Sequence, residues 1–343
     1  MDIIGIDVGF GFTKATNGRD LLIFKSLLGE AAEIQYRERL LDEADREEHL
    51  HLEVDGESYF IGELAERQSH TRFFTLDQTQ FVSHFTKVLA FAALSRLSTP
   101  NVPVRLVTGL PVVYYQRHAE DLGRMLLGKH ELTVVDEAGE RKELSLNVDK
   151  VRVVPQPFGS LFNLMLDDSG EAGERRFLEE KIGVIDVGFR TADFTISDRT
   201  RYSQRGSDTT ESGITQAFNT IAAKLQEKSG VNVELYRLFD AVARGTIKIR
   251  GKKYELKTIT DQVFKQLASS ISTEVDRLWT DDWDIDVIMV TGGGGAVLAP
   301  HLEPLLNGEV LPLKADEDYR FNNVRGYWKY GKNLWARGAK PAG

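Results

Sequence analysis

Ile4-Gly5-Ile6-Asp7-Val8-Gly9-Phe10-Gly11 stands near the start of the chain, and Val184-Ile185-Asp186-Val187-Gly188-Phe189-Arg190-Thr191 repeats its pattern past the midpoint. In both stretches a short apolar run, of the kind that fits a well-buried strand, reaches an aspartate and breaks at glycine. Glycine lets the backbone bend back with its N–H groups turned into a concavity, and admits a bulky anion where a Cβ would clash. Such a turn suits phosphate. An aspartate beside it would repel phosphate unless a cation lay between, so Asp7 and Asp186 read as holders of hydrated Mg²⁺. A third signal, Gly292-Gly293-Gly294-Gly295, follows the apolar strand Val287-Ile288-Met289-Val290 and Thr291. It leads to an expected helix start at about Ala296, where N–H groups and the positive helix end face phosphate or ribose. Three such loops in this order imply a metal–nucleotide ligand clamped between two similar domains.

The length of 343 residues exceeds what one compact core usually supports, so two domains are expected, each with room for a sub-domain. The absence of cysteine excludes disulfides, thiolate zinc sites and cysteine nucleophiles together. The seven histidines form no ligand cluster, and His49 and His51 read as a solvated pair in a charged stretch. No apolar run approaches the ~18–20 residues needed to cross a bilayer, and the first residues form a core strand rather than a leader. The expectation is a cytoplasmic protein without membrane contact. A formal net charge of −9 argues against a surface that coats nucleic acid, so any DNA contact is expected through an adaptor.

Residues 1 to about 28 read as a β-meander, with Asn17-Gly18 as a hairpin signal. Residues 29–52 are densely charged, with Glu30, Glu33, Arg37, Glu38, Arg39, Asp42 and Glu43 among them. They read as an exposed helix or mobile loop, or alternatively as the partner-facing edge of an inserted sub-domain. Phe81, Phe85, Val88, Leu89, Ala92 and Leu97 recur at helical spacing and lead through Pro100 and Pro103 into the strand Val104–Val107. Thr108-Gly109-Leu110-Pro111 closes that strand with turn chemistry. Another strand, Val151–Val154, ends at Pro155-Gln156-Pro157, whose prolines fix the direction of Gln156, and residues 158–165 read as the helix that follows. After Asp186 the scheme repeats, with a strand near Ala192 to Ser197 and helices from about Ile214 to Lys228 and Ile259 to Leu278. Val242 to Lys257 reads as a hairpin around Arg250-Gly251.

These motifs, in this order, resemble the actin superfamily, and within it the bacterial actin-like proteins of the ParM plasmid-segregation type. The resemblance covers most of the chain. It rests on Ile6 to Lys14, Val107-Thr108-Gly109-Leu110-Pro111, Pro155-Gln156-Pro157, Ile185 to Asp193, Thr291 to Gly295 and Asn323-Val324-Arg325-Gly326-Tyr327. It implies an α/β, duplicated actin-like (ribonuclease-H-like) two-domain fold with a nucleotide cleft between the domains. The expected first domain is 1–158 plus 318–343, with an inserted sub-domain at about 28–80; the second is 159–317, with an insertion at about 228–262.

By the same resemblance Gln156, Asp7 and Asp186 are the catalytic set: the aspartates hold Mg²⁺ through water and Gln156 orients the attacking water. Lys14 would reach a phosphate oxygen, and the amides of Gly11, Phe12, Thr13, Gly188, Phe189 and Arg190 would wrap the phosphates. Gly9, Thr191, Asp193 and the loop Gly292, Gly293, Gly294, Gly295 complete the implied nucleotide site, for ATP or GTP. Phosphoryl transfer asks mainly for positioning and charge neutralisation, and a neutral amide aligns water without taking its proton, so slow hydrolysis is expected. The implied function is a head-to-tail filament that polymerises with nucleotide and moves plasmid DNA through a DNA-bound adaptor.

Two alternatives stay open at this level. One is a sugar- or acetate-type kinase on the same fold, where an aspartate would deprotonate a substrate hydroxyl, against which Gln156 stands because it cannot be a base. The other is a membrane-linked actin relative, suggested by aromatics mixed with cations in Tyr327 to Arg337, against docking of that segment on the first domain. A P-loop is absent, and Val297 stands where a dinucleotide fingerprint needs glycine.

Overall fold

β1 (Asp2–Val8) is buried from Ile4 through Asp7, and everything in the first half is arranged around it. The computed structural model describes residues 1–34, 49–77, 82–312 and 317–337, and divides into two units. The first is Met1–Leu110, Tyr114–Gly173 and Phe321–Gly343; the second is Pro111–Val113 and Glu174–Arg320. The expected boundary at 158/159 thus differs from the observed one at 173/174. The reason is that the helix after Gln156 packs on the C-terminal helix of the first unit.

In chain order the first unit forms β1, β2 (Phe12–Thr16), β3 (Leu21–Lys25), β4 (Leu28–Glu30), β5 (Leu50–Val54), β6 (Glu57–Ile61), α1 (Glu63–Gln68) and β7 (Arg72–Phe73). It continues with α2 (His84–Leu97), β8 (Val104–Leu110), α3 (Val112–Leu126), β9 (Gly128–Val135), β10 (Arg141–Pro155) and α4 (Phe158–Met165). The strands make one sheet in the order β3-β2-β1-β8-β10-β9-β5-β6-β4-β7. β1 runs antiparallel to β2 and parallel to β8, which runs parallel to β10. The parallel partner needs a crossover, and α2 supplies it, with Val88, Leu89, Phe91 and Leu94 fully buried in one cluster with Ile4, Ile6 and Leu106. Ser83 caps α2 by accepting from the Thr86 amide at 3.4 Å. Phe81 and the expected start of this helix at Gln80 lie outside the described residues, as does most of the charged stretch, residues 35–48.

The second unit contains α5 (Arg175–Glu179), β11 (Lys181–Val187), β12 (Ala192–Asp198), β13 (Arg201–Thr210), α6 (Thr215–Ser229) and α7 (Leu235–Arg244). The hairpin β14 (Thr246–Ile249) and β15 (Lys252–Glu255), α8 (Lys257–Trp279), β16 (Val287–Thr291), α9 (Gly292–Leu302) and β17 (Glu309–Val310) complete it. Its main sheet is ordered β13-β12-β11-β16-β17. Here too the first strand has an antiparallel meander on one side and a parallel neighbour, β16, on the other. Asp7 and Asp186 occupy the same penultimate place in β1 and β11, so the duplication is structural as well as in sequence.

α10 (Asn322–Arg337) returns to the first unit and packs on α4 and β1. Alternate residues of a strand face opposite sides, so while Leu106 meets α2, Val107 joins Val154, Val324 and Tyr327 beneath α10. Tyr327 is fully buried. Gly331 does not interrupt the helix but lets it lie on Ile3, whose Cγ2 is 2.7 Å from where a Cβ would be. This packing is the expected docking of the tail on the first domain. No helix among the described residues is long and apolar enough to cross a membrane. His51 also departs from the expected solvated pair: it is buried, bonded to Ser58 Oγ at 2.8 Å and set edge-on to Phe60.

Candidate functional site

In the first unit, antiparallel pairing sets Asp7 directly opposite Lys14. Lys14 Nζ lies 3.0 Å from Asp7 Oδ2, and Gln156 Nε2 donates to Asp7 Oδ1 at 2.8 Å. One buried carboxylate is therefore shared by a cation and an amide that begins 149 residues later in the chain. Charge-assisted contacts of this kind satisfy a buried carboxylate that would otherwise be costly. The turn before β2 closes with Gly9 N donating to Phe12 O at 3.2 Å. Ser26 then takes up the loop's carbonyls, its hydroxyl donating to Gly9 O at 2.6 Å and its amide to Gly11 O at 3.0 Å. The Thr13 hydroxyl is spent on the same serine, at 2.9 Å.

Gln156 is fixed at three points besides its side chain's tip. Its amide donates to Leu110 O at 2.7 Å, its carbonyl accepts from Tyr327 Oη at 3.1 Å, and Gly159 N donates to the same carbonyl. Asn323 caps the helix that follows, its Oδ1 accepting from Ser160 N and Ser160 Oγ at 3.1 and 2.8 Å. The Asn323-to-Tyr327 motif is thus a support for the Gln156 turn. Ser26 and Tyr327 escaped the sequence reading as site residues, because a serine after a strand and a tyrosine in a helix carry no local signal for a contact made across the fold.

In the second unit, Gly188 N donates to Thr191 O at 2.8 Å, the counterpart of the Gly9 turn. The start of α6 takes up this loop's carbonyls: Gly213 N donates to Arg190 O, Ile214 N to Gly188 O and Thr215 N to Phe189 O, at 2.7 to 3.2 Å. A Cβ on Gly213 would stand 2.1 Å from Arg190 C, so only glycine permits that approach. In both units the loop carbonyls are held by the protein, and a phosphate brought to the loop is not met by them. Arg190 reaches Glu211 at 2.9 Å.

Where Lys14 faces Asp7, Asp193 faces Asp186. Two carboxylates opposed across a strand pair cannot both ionise cheaply. Burial, then the neighbouring Asp186 charge, push Asp193 up to about 7, against the hydrogen bonds it accepts. Its Oδ1 accepts from Thr209 Oγ1 at 2.5 Å and Val112 N at 3.0 Å, and its Oδ2 from Thr191 Oγ1 at 3.2 Å. Those contacts make Asp193 an anchor for the 111–113 segment and for β13.

Asp186 lies against the third loop. α9 starts at Gly292 rather than at Ala296, because the chain leaves β16 at Thr291 in extended form and turns at once through Gly292 with φ of 83°. A Cβ on Gly292 would fall 2.3 Å from Asp186 Oδ1, and one on Gly294 2.9 Å from Val187 O. These two glycines pack the helix end onto the aspartate strand, while Gly293 is approached at 3.7 Å by Arg320 and Gly295 at 3.4 Å by Val290. The Thr291 side chain makes no cap bond to α9, whose first amides therefore suit an anionic or hydroxyl-bearing ligand. Among the described residues no three carboxylate or histidine groups gather as a direct metal site.

Two family descriptions match the chain: actin-like proteins, N-terminal domain, over residues 5–159, and archaeal actin homologue MreB-like, C-terminal, over 184–304. No curated protein matches it significantly. Among solved structures, the 15-stranded ParM filament from Clostridium botulinum is 26% identical with a TM-score of 0.80, covering 96% of this chain and 99% of that one. A non-polymerisable quadruple mutant of pCBH ParM is likewise 26% identical over the same shares, with a TM-score of 0.78. Bacillus thuringiensis ParM with ATP, 18% identical over 98% of this chain and 99% of that one, has a TM-score of 0.71 and shares the fold.

Proposed function

This chain belongs to the actin superfamily, and from that membership we propose that it is a ParM-like, nucleotide-dependent ATPase that polymerises head to tail. DNA cargo, a plasmid in the ParM setting, would be attached through a DNA-binding adaptor. The observation that carries this reading is the Asp7 carboxylate clasped by Lys14 and Gln156, a charge and an amide brought together next to a glycine turn. The ParM and filament structures it resembles support the same reading.

The ligand is ATP or GTP, and Asp7 and Asp186 would hold Mg²⁺ through water, which suits a cation that keeps most of its hydration shell. Bound there, the ion supplies neutralisation of phosphate charge. Lys14 would then be within reach of a phosphate oxygen, and the amides of Gly11, Phe12, Thr13, Phe189 and Arg190 would face the phosphates, whereas the expected Gly188 amide is taken by Thr191 O. Gly292 to Gly295 place the α9 end against the nucleoside. Gln156 donates through Nε2 to Asp7, so its Oε1 is the acceptor that aligns a water. An amide takes no proton from that water, and hydrolysis is slow.

Light scattering and phosphate release on adding Mg-ATP or Mg-GTP test the proposal. The expected result is a rise in scattering followed by slow release, with scattering abolished in Asp186→Ala and release alone reduced in Gln156→Ala. Turnover that requires a sugar or acetate, without assembly, would overturn it in favour of a kinase.

A further inference from the structure

Trp283 is 88% exposed, far more than any other tryptophan of the chain. A large aromatic held in water is the unusual case, and indole is among the side chains that dominate association energies. The backbone beneath it is held by hydrogen bonds. The turn that carries it is closed by Asp282 N donating to Trp279 O and Ile285 N to Asp282 O, both near 3 Å. Buried Asp282 pairs with Lys181 at 2.8 Å and Arg205 at 2.6 Å, and Lys181 N is bound by Asp286. A preformed turn loses little backbone freedom on binding. Around it stand Asp281 and Asp284, 80% and 54% exposed and paired with Arg205 and Lys181, so that with Asp282 the projection carries three carboxylates against two cations and is acidic as well as apolar.

At the other end of α8 the same unit has the complementary feature. A cavity of about 410 Å³ lies between the end of α6, β15 and the start of α8. Leu225 and Ile259 line it together with Lys224, Lys228, Lys252 and Lys253 and one carboxylate, Glu255, which pairs with Lys253 at 2.9 Å. In a chain of net charge −9 that lysine group stands out. The volume falls in the range of ligand pockets, ~300–1,000 Å³, and admits an indole ring. α8 has 23 residues, so the projection and the cavity stand roughly 34 Å apart at 1.5 Å per residue and cannot meet within one copy.

We propose that the Trp283 turn of one copy seats in the lysine-rimmed cavity of the next, joining copies head to tail through their second units. The occupant is a second copy because the projecting group and the receiving cavity are matched in sign and in polarity on one chain. A heterologous contact of this kind propagates instead of closing a pair. This contact rests on the filament reading and names the surfaces that would carry it.

The test uses Trp283→Ala, which keeps the cavity, and K228E/K252E/K253E, which keeps the indole. All four positions are at the surface, and circular dichroism melts verify that both variants fold. Sedimentation velocity with Mg-ATP is run on the wild type, each variant and their equimolar mixture. Each variant alone is expected to need roughly tenfold more protein to assemble, or more, and the mixture is expected to form a one-to-one dimer, since it restores a single junction. Assembly of either variant at the wild-type concentration, or no dimer in the mixture, would overturn the contact. The wild-type run separates the two ideas: if it assembles and Trp283→Ala does too, this contact fails and the filament reading stands. If the wild type stays monomeric, the filament reading fails and this contact, which rests on it, fails with it.

Discussion

Asp186 and Asp193 face each other across β11 and β12, and the Asp193 carboxyl holds its proton up to about 7. Burial is the first cause, and the Asp186 charge adds to it. An acid whose folded value is raised binds a proton in the native state that the unfolded chain has already released. Its contribution to stability is therefore present below the unfolded value of 3.8 and is lost as pH rises to about 7. Over that window the loss is on the order of 4 kcal/mol, at 1.36 kcal/mol per pH unit. Asn keeps an oxygen for Val112 N and Thr209 Oγ1 and cannot ionise. In chelator, Asp193→Asn is expected to gain in Tm over the wild type between pH 4.5 and pH 8, by roughly 5–10 °C. Parallel Tm curves for the two proteins would contradict the assignment. Asp7, Asp186 and the glycines after them were legible in the sequence because strand burial and glycine turns are local. The anchoring contacts of Asp193 were not, since Val112 and Thr209 reach it only once β8 and β13 are in place.

Elements were legible in proportion to the length of their pattern. β1, β8, β11, β16, α2, α6 and α8 follow their apolar periodicity to within a few residues. α3 was missed because Leu110-Pro111 reads as a turn and half the helix is polar, although proline just ahead of a helix is also a good start signal. α7 was missed behind the hairpin signal of Arg250-Gly251, and only the hairpin itself was seen. In the C-terminal helix the glycines serve close packing. A Cβ on Gly326 would sit 1.7 Å from the carbonyl oxygen of Gly159. Gly326→Ala must push α10 off α4, and is expected to cost about 3 kcal/mol or more and to loosen the Tyr327 bond to Gln156. Gly123→Ala in α3 is the control, since its nearest neighbour is 3.9 Å away. Thermal melts with near-neutral Gly123→Ala and a large loss for Gly326→Ala verify this; equal effects would contradict it.

At the scale of the whole molecule, the duplication puts an aspartate at the same strand end in each unit. The halves are alike in strand order and turn, and differ where it matters for charge: a lysine opposes the first aspartate and a carboxyl the second. That asymmetry came from no motif, because it depends on the register of each hairpin. A single nucleotide site that needs both aspartates is a claim about binding before it is one about filaments. Titration calorimetry of the wild type, Asp7→Ala and Asp186→Ala with ATP, with and without Mg²⁺, measures it directly. One nucleotide per chain, dependent on Mg²⁺ and lost in either variant, is the expected result. Uptake that survives removal of either aspartate unchanged, or no uptake by the wild type, would contradict it.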